Sequence, residues 1–226
     1  MFAGIKCLTI YFKNMHKIFL LFGASALVVA SCVSNPTGKK AETTDSVSTT
    51  SDSVAVTSGE SLTVDTAKST VAWLGKKVTG EHDGIVKIKS GSLTVSNNKL
   101  TGGKFTIDLN TISAKLDGDM KGKLEGHLKS PDFFDVAKFP EATFEITKVE
   151  PGTADSLVKI SGNLTLKGVS KNITFDATLN GVSATSITAD ADFNIAREDW
   201  GITYAGKADD LISKEINLKV HLVASK

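Results

Sequence analysis

The chain has 226 residues, of which 41% are hydrophobic and 23% charged, a composition that indicates a globular protein of one domain, or of one domain with tails. The formal net charge is +1, and Arg197 is the only arginine among the 26 basic residues, which excludes a nucleic-acid-binding surface built from several arginines. Both cysteines, Cys7 and Cys32, lie within the first 32 residues, so the rest of the chain offers no disulfide, cysteine-bound zinc or thiol nucleophile.

The N-terminal residues have the order of regions found in a secretory signal peptide. From Met15 the sequence reads MHKIFLLFGASALVVASC, in which Lys17 precedes an apolar run over 18–30 and small residues follow. This run would span about 20 Å as a helix, too little for the roughly 30 Å of hydrocarbon in a bilayer. We therefore predict that residues 1–31 are a signal peptide, with Met15 as the initiating residue.

The end of this segment, LVVASC at 27–32, resembles a bacterial lipobox, in which apolar and small residues precede a cysteine that becomes acylated. The resemblance implies cleavage before Cys32, acyl chains on that residue, and anchoring in the bacterial cell envelope. Val33 follows, where an aspartate would suggest retention in the inner membrane of some bacteria. The expected location is therefore the outer membrane, facing the periplasm. Secretion without an anchor is the alternative.

The next segment, residues 33–61, is rich in serine and threonine and has almost no large apolar side chain. Such a segment buries too little surface to offset the entropy lost on ordering. We predict that 32–60, including the lipidated Cys32, is a flexible tether, and a random coil of this length averages about 30 Å from end to end. The tether would hold the folded part, 61–226, clear of a membrane.

From residue 61 onward, apolar and polar residues alternate with a period of two in most segments. This pattern is typical of an antiparallel sheet with one wet face. Glycine and asparagine interrupt the runs at 96–99, 166–171 and 179–184, as in hairpin connections. About eight strands with short turns predict an all-β barrel or sandwich, because so wide a sheet must hide its edges. The predicted strands lie within 69–78, 84–96, 104–110, 143–150, 158–167, 172–180, 186–196 and 215–224.

One segment, 117–130, has a helical pattern instead. Met120, Leu124 and Leu128 are spaced four residues apart, which places them on one helix face, although two glycines weaken the pattern. The segment runs into an adjacent aromatic pair, Phe133 and Phe134. We predict a short helix in a crossover between strands that closes one end of the barrel, with at least one of the two phenylalanines pointing inward.

Four blocks of this sequence occur in a recognisable order over 61–226: WLGKKVTGEHDGIVKIKSG (73–91), HLKSPDFFDVAKFPEATFE (127–145), SGNLTLKGVSKNITF (161–175) and FNIAREDWGI (193–202). Together they resemble the YceI-like family of polyisoprenoid-binding proteins. The resemblance implies a lipocalin-like antiparallel barrel with a long apolar interior, which binds an isoprenoid or other lipid chain without catalysis.

The residues alone leave the state of the barrel interior open. An eight-stranded barrel either is filled by its own side chains or holds one small ligand. Small inward residues such as Ala177, Ala189 and Ala191 could make room for a ligand or for neighbouring phenylalanines, and the resemblance favours the ligand. A filled barrel that acts as an interaction module in the envelope is the alternative. The apolar residues expected at the interior or mouth are Trp73, Phe105, Ile107, Leu128, Phe133, Phe134, Phe144, Ile146, Leu164, Phe175 and Phe193.

Three polar residues are further candidates for contact with a ligand's head group. His82 and His127 lack the HxH or HxxxH spacing of metal ligands, so each is expected to bond a nearby loop or to contact a polar head. Arg197 is expected to form a structural ion pair with a neighbouring carboxylate or, if it points inward, to bind a phosphate head. The chain has no nucleophile elbow and no glycine-rich phosphate loop. We therefore predict no enzymatic activity, no metal and no cofactor; no pattern specifies an oligomeric state.

Overall fold

The computed structural model describes residues 33–48 and 59–226. The predicted signal peptide, Cys32 and positions 49–58 of the predicted tether lie outside the described residues. The described chain has twelve β-strands, one α-helix and one short 3-10 helix, Arg197–Trp200. The strands are β1 Lys39–Lys40, β2 Glu42–Asp45, β3 Glu60–Val64, β4 Thr70–Lys77, β5 Gly80–Ser96, β6 Lys99–Ala114, β7 Glu141–Pro151, β8 Leu157–Leu166, β9 Val169–Asn180, β10 Ser186–Ala196, β11 Gly206–Lys207 and β12 Asp210–Ser225; the helix, α1, is Gly118–Lys129.

Eight long strands form a closed antiparallel barrel, which confirms the predicted fold class. Strands β5 to β9 follow one another in sequence order, each paired with the next. β10 pairs with both β9 and β12, and β4 closes the ring between β12 and β5. β3 continues the position of β4 along the barrel, because it pairs with the same two strands at their other ends.

The alternation of apolar and polar residues determines which face of each strand points inward. In β8, Ile160, Gly162, Leu164 and Leu166 are buried, while the polar residues that alternate with them are only partly covered. Gly162 stands between them opposite Ile146, and a Cβ there would collide with the ring of Phe144. The glycine is thus needed because an aromatic ring occupies the space its side chain would take.

The helix α1 lies in the connection between β6 and β7, as predicted, but its apolar face is shorter than expected. Leu128 is buried and Leu124 is partly buried, whereas Met120 is 60% exposed. Glu125 fixes the helix to the barrel, because its carboxylate accepts a hydrogen bond of 3.0 Å from the backbone N–H of Ala114. Only the C-terminal half of α1 therefore covers the barrel end.

Residues 33–48, called the strap below, pair with the barrel instead of forming the predicted flexible tether. Strand β1 runs parallel to β10, and β2 runs antiparallel to β9. The side-chain amide of Asn194 donates to the carbonyl of Pro36 at 2.9 Å, and Ala41 is buried. The tether prediction is therefore wrong for the strap, because backbone pairing to two strands orders a segment whose side chains bury little.

Candidate ligand-binding cavity

A row of phenylalanine rings crosses the barrel interior. Phe105 and Phe144 are direct cross-strand partners, and their rings stack with centroids 5.8 Å apart. The ring of Phe144 lies 5.8 Å from that of Phe175, which in turn stacks on Phe193 at 4.0 Å. Four neighbouring inward positions, on β6, β7, β9 and β10, thus bring together rings that are far apart in sequence.

Beside this row lies a cavity of about 90 Å³, here called the aromatic chamber. Nineteen of its twenty lining residues are apolar, and the exception is Asp190, whose carboxylate accepts a hydrogen bond of 2.6 Å from Nδ1 of His221. The alanines at 177, 189 and 191 line it as well. Of the residues predicted from sequence, it contains Phe105, Ile107, Phe144, Ile146, Leu164, Phe175 and Phe193.

A second cavity of about 100 Å³, the helix chamber, lies next to the aromatic chamber and reaches α1. Its fifteen lining residues are all apolar. Of the predicted residues it contains Trp73, Ile107, Leu128, Phe133, Phe134 and Leu164. Four aliphatic residues line both chambers and form a shared waist: Val71, Ile107, Leu164 and Leu218. The interior therefore combines packed side chains with two adjoining apolar spaces.

The aromatic pair after α1 enters the helix chamber through a hydrogen-bonded turn. The backbone N–H of Phe133 donates to the carbonyl of Ser130 at 3.1 Å, and that of Phe134 to the carbonyl of Leu128, also at 3.1 Å. Asp135 follows with a φ of 48°, in the left-handed region. Phe133 is buried and Phe134 partly buried, and both line the chamber.

The ring of His127 packs against the outer side of this turn. Its ring lies edge-on to Phe133 at 4.9 Å and to Tyr204 at 4.8 Å, and its Nε2 is 3.4 Å from the carboxylate of Asp132. His127 lines neither chamber. Tyr204, which sequence reasoning missed, has no apolar alternation around it that could have placed it here.

Trp73 and His82 each carry a buried polar atom without a partner. Nε1 of Trp73 and Nδ1 of His82 have no hydrogen-bond partner, so Nδ1 does not supply the hydrogen bond to a nearby loop that was predicted for His82. Trp73 is 9% exposed and lines the helix chamber. The Cβ of any larger residue at Gly84 would meet the Trp73 ring at 2.6 Å, so this glycine is required for the ring's position.

Arg197 is buried, but it faces backbone and not the cavity. Its Nε donates to the carbonyl of Ser213 at 2.9 Å, and its Nη1 donates to that of Ile202 at 2.6 Å. Burial lowers the pKa of its guanidinium, and Glu198 opposes this. Glu198 itself pairs with Lys214 at 3.2 Å. The predicted ion pair of Arg197 is not formed, because its donors are taken by the carbonyls of Ile202 in the loop after β10 and of Ser213 in β12. Arg197 lines neither chamber.

Polar residues that sequence reasoning missed lie on the outer face of β10 and β12. Asn194, Ser213 and Asn217 are each 1% exposed. Asn217 donates to the side chain of Asn194 at 3.0 Å, and Ser213 donates to Asn35 of the strap at 2.7 Å. They are buried because the strap covers them. Alternation predicted that Asn194 and Asn217 face solvent, and Ser213 lies before the predicted strand 215–224.

Within 33–48 and 59–226, no group of three or more histidine, cysteine, aspartate or glutamate side chains is arranged to hold a metal ion. No helix of the described residues is long and apolar enough to span a membrane.

Comparison with known proteins agrees with this architecture. The model of the YceI-like domain matches residues 62–224. The chain is 33% identical to a UPF0312 protein of Pseudomonas putida strain W619 over 141 residues, covering 60% of this chain and 71% of the relative. It is 39% identical to the YceI protein of Salmonella arizonae over 98 residues, covering 43% of this chain and 49% of that protein.

Solved structures share the fold. The crystal structure of BcnA from Burkholderia cenocepacia aligns with a TM-score of 0.60 and 24% identity, covering 72% of this chain and 99% of BcnA. A domain from Saccharophagus degradans, described as polyisoprenoid binding, aligns with a TM-score of 0.55 and 20% identity, covering 73% of this chain and 97% of the domain. The barrel, its ordered sequence blocks and the family match together show that the chain belongs to the YceI-like family.

Proposed function

We propose that this protein binds an apolar chain of isoprenoid type inside the barrel and carries or sequesters it without catalysing a reaction. The observation that carries the proposal is the pair of adjoining chambers with a shared aliphatic waist. Apolar cavities in proteins stay dry and accept apolar ligands. The description of the Saccharophagus degradans domain as polyisoprenoid binding adds support.

The size of the chambers suits a branched chain that threads the waist. One water needs roughly 10–15 Å³ of such space, so chambers of about 90 and 100 Å³ each have room for several methyl-sized groups. Each buried five-carbon isoprene unit contributes about 4 kcal/mol, at about 0.8 kcal/mol per carbon. Two units thus correspond to about micromolar affinity before ordering costs are subtracted. A longer chain requires the stacked rings of Phe175 and Phe193 to separate.

Binding of a graded series of isoprenoid alcohols tests this proposal. Delipidated protein is dialysed against tritiated geraniol, farnesol and geranylgeraniol. We expect saturable binding to one site, with affinity rising with length while the chain still fills the second chamber. Absence of saturable binding for all three would refute the proposal.

A filled barrel that acts as an interaction module is the second candidate function. The observation in its favour is the close stacking of Phe175 on Phe193, with ring centroids 4.0 Å apart, which leaves a modest aromatic chamber. Negative results across the alcohol series would support this function instead.

We further propose that acylated Cys32 anchors the protein in the bacterial envelope, at the outer membrane facing the periplasm. Asn35 is bound to the barrel through Ser213 at 2.7 Å. It lies three positions after Cys32, which allows at most about 10 Å of extended chain between them. The barrel would then rest at the membrane instead of on a long tether. Incorporation of labelled palmitate that disappears in Cys32→Ser supports the anchor; equal labelling of both proteins rules it out.

A further inference from the structure

Two buried polar atoms without a partner lie on neighbouring strands beside the helix chamber. Among the described residues, three buried side-chain polar atoms lack a hydrogen-bond partner, and two of them are Nε1 of Trp73 and Nδ1 of His82. Trp73 stands opposite Gly84, and His82 stands opposite Gly75, two positions farther along the same ladder. Directly opposed residues point to the same face, and diagonal neighbours of this kind are within reach of aromatic side chains. The two atoms therefore belong to one site.

This site has open space next to it. A Cβ at Gly75 would have no atom within 4 Å, so the face of β4 between the two side chains is not filled by protein. Trp73 lines the helix chamber, which makes the site continuous with the apolar interior. A chain occupying that chamber would bring its end to the unpartnered atoms.

The two atoms select for a particular head group. An indole N–H only donates, whereas Nδ1 of a neutral histidine accepts when Nε2 carries the proton. A hydroxyl accepts one hydrogen bond and donates another, so a single hydroxyl satisfies both atoms. An ether or carbonyl oxygen satisfies Trp73 alone.

The neighbouring cations are already engaged, which argues against a phosphate head. Lys77 pairs with Asp210 at 2.7 Å, and Lys76 lies 3.9 Å from Glu81. Arg197 donates to backbone carbonyls. An unpaired phosphate beside an apolar chamber would lose its hydration without compensation.

We propose that the bound chain ends in a neutral hydroxyl group, which accepts a hydrogen bond from Nε1 of Trp73 and donates one to Nδ1 of His82. This inference rests on the proposed function, whose apolar chambers hold the rest of the chain.

Comparison of four probes with the same tail tests it: tritiated farnesol, farnesyl methyl ether, farnesene and farnesyl phosphate. Farnesol should bind about three- to tenfold more tightly than farnesene, the effect of one or two net hydrogen bonds. Trp73→Phe keeps a ring but removes the N–H, and it should abolish this preference. His82→Phe should abolish the preference for farnesol over the ether. Trp200→Phe is the matched control and should keep both preferences, because Nε1 of Trp200 already donates to the carbonyl of Leu164 at 3.0 Å.

The outcomes separate the two proposals. Equal binding of farnesol and farnesene, a preference that survives Trp73→Phe, or tightest binding of the phosphate would overturn the hydroxyl site while leaving the apolar cavity intact. Failure of all four probes to bind would overturn the proposed function and this site with it.

A second inference concerns the seam between β9 and β10, where the barrel wall is incomplete. Within the described chain these strands pair only where residues 177–180 meet 188–191. Beyond that point the strap occupies the gap: β1 pairs with Phe193 and Asn194 of β10, and β2 pairs with residues 171–174 of β9. The strap therefore completes the wall.

Two rings separate the strap from the interior. Phe175 and Phe193 line the aromatic chamber, and they also line a small outer cleft that Lys39 and Glu42 of the strap border. Because each ring touches both spaces, separation of these stacked rings would connect the outside of the seam to the aromatic chamber.

The strap is held mainly by contacts that water can replace. Lys39 pairs with Asp176 at 2.7 Å and Lys171 with Asp45 at 2.9 Å, both at the surface, where ion pairs contribute little. Beneath it lie the side chains of Asn194, Ser213 and Asn217, which water can solvate when the strap leaves. A segment with few apolar contacts is expected to open locally at low cost.

We infer that the strap is a side gate through which the ligand reaches the aromatic chamber. This too rests on the proposed function, but it concerns the rate of entry and not the affinity. Its test is a disulfide between register partners, Glu42→Cys and Thr174→Cys, in a Cys32→Ser chain. A matched control places the disulfide at Lys104→Cys and Glu145→Cys, register partners on β6 and β7.

Farnesol uptake is followed by stopped-flow quenching of tryptophan fluorescence. The oxidised strap variant should take up ligand at least tenfold more slowly than its reduced form, whereas the control variant should take up ligand at the same rate in both forms. Equal uptake rates for the oxidised and reduced strap variant would overturn the gate, and loss of equilibrium binding in both forms would count against the proposed function instead.

Discussion

Replacement of Arg197 with methionine should destabilise the barrel, because this side chain donates hydrogen bonds to backbone carbonyls and does not bind a ligand. Arg197 is 2% exposed, and its guanidinium donates to the carbonyls of Ser213 and Ile202 at 2.9 and 2.6 Å. A third bond, to the carbonyl of Ile212, is longer at 3.4 Å. Methionine retains the unbranched stem but leaves these carbonyls without a donor.

The magnitude follows from the two short bonds. A hydrogen bond from a charged donor contributes about 1.5–3 kcal/mol. Burial of the guanidinium charge offsets part of this, which leaves a net loss of about 3 kcal/mol in the free energy of unfolding. At roughly 2–4 °C per kcal/mol for a domain of this size, the Tm should fall by about 6–12 °C. Lysine at the same position keeps the charge but loses the planar fork, so Arg197→Lys should lie between the two.

Urea unfolding followed by far-UV circular dichroism measures this loss, and farnesol binding is measured on the same samples below the transition. We expect the folded fraction of Arg197→Met to bind farnesol like the parent. A variant with unchanged stability but lost binding would refute the reasoning, because Arg197 would then act as a head-group ligand.

Three further predictions concern the cavity, an ion pair and a glycine. Ala189→Leu adds bulk to the aromatic chamber, and it should weaken farnesol binding about tenfold or more while leaving the circular dichroism spectrum of the barrel unchanged. The carboxylate of Asp210 accepts a hydrogen bond from Lys77 at 2.7 Å, which lowers its pKa to about 2. The stability that this carboxylate contributes is therefore fully present above about pH 4 and is lost as the pH falls towards 2. Urea unfolding across this pH range should show the loss in the parent protein and a smaller loss in Asp210→Asn. Gly84→Ala would force a Cβ against the ring of Trp73 at 2.6 Å and against the backbone opposite. The free energy of unfolding should fall by roughly 1–3 kcal/mol, and a scan of thermal unfolding should show a lower Tm.

The barrel could be predicted from the sequence because the alternation of apolar and polar residues depends only on which side chains of each strand point inward. In β10 the apolar positions from Ile187 to Ile195 point inward and pair in register with those of β12. The phenylalanines at 105, 144, 175 and 193 are found together for the same reason. The crossover helix and the aromatic pair after it were also placed correctly, since the helical spacing and Pro131 mark where the strand pattern is interrupted.

What could not be predicted depends on contacts between distant backbones. The strap is polar in composition, yet its backbone pairs with β9 and β10, and no pattern in 33–48 reports that those strands separate there. The role of Arg197 depends on the direction of three carbonyls in a loop and at the start of β12. The volumes of the two chambers depend on how the aromatic rings stack, which composition does not determine.

The central claim is that the barrel holds an apolar chain, and native mass spectrometry of the protein isolated from its native host without delipidation tests it most directly. The account predicts a bound species that dissociates on activation and fragments as an isoprenoid, present in the parent and depleted in Ala189→Leu. A parent protein that appears only at its unliganded mass, and that gains no mass after incubation with farnesol, would contradict it.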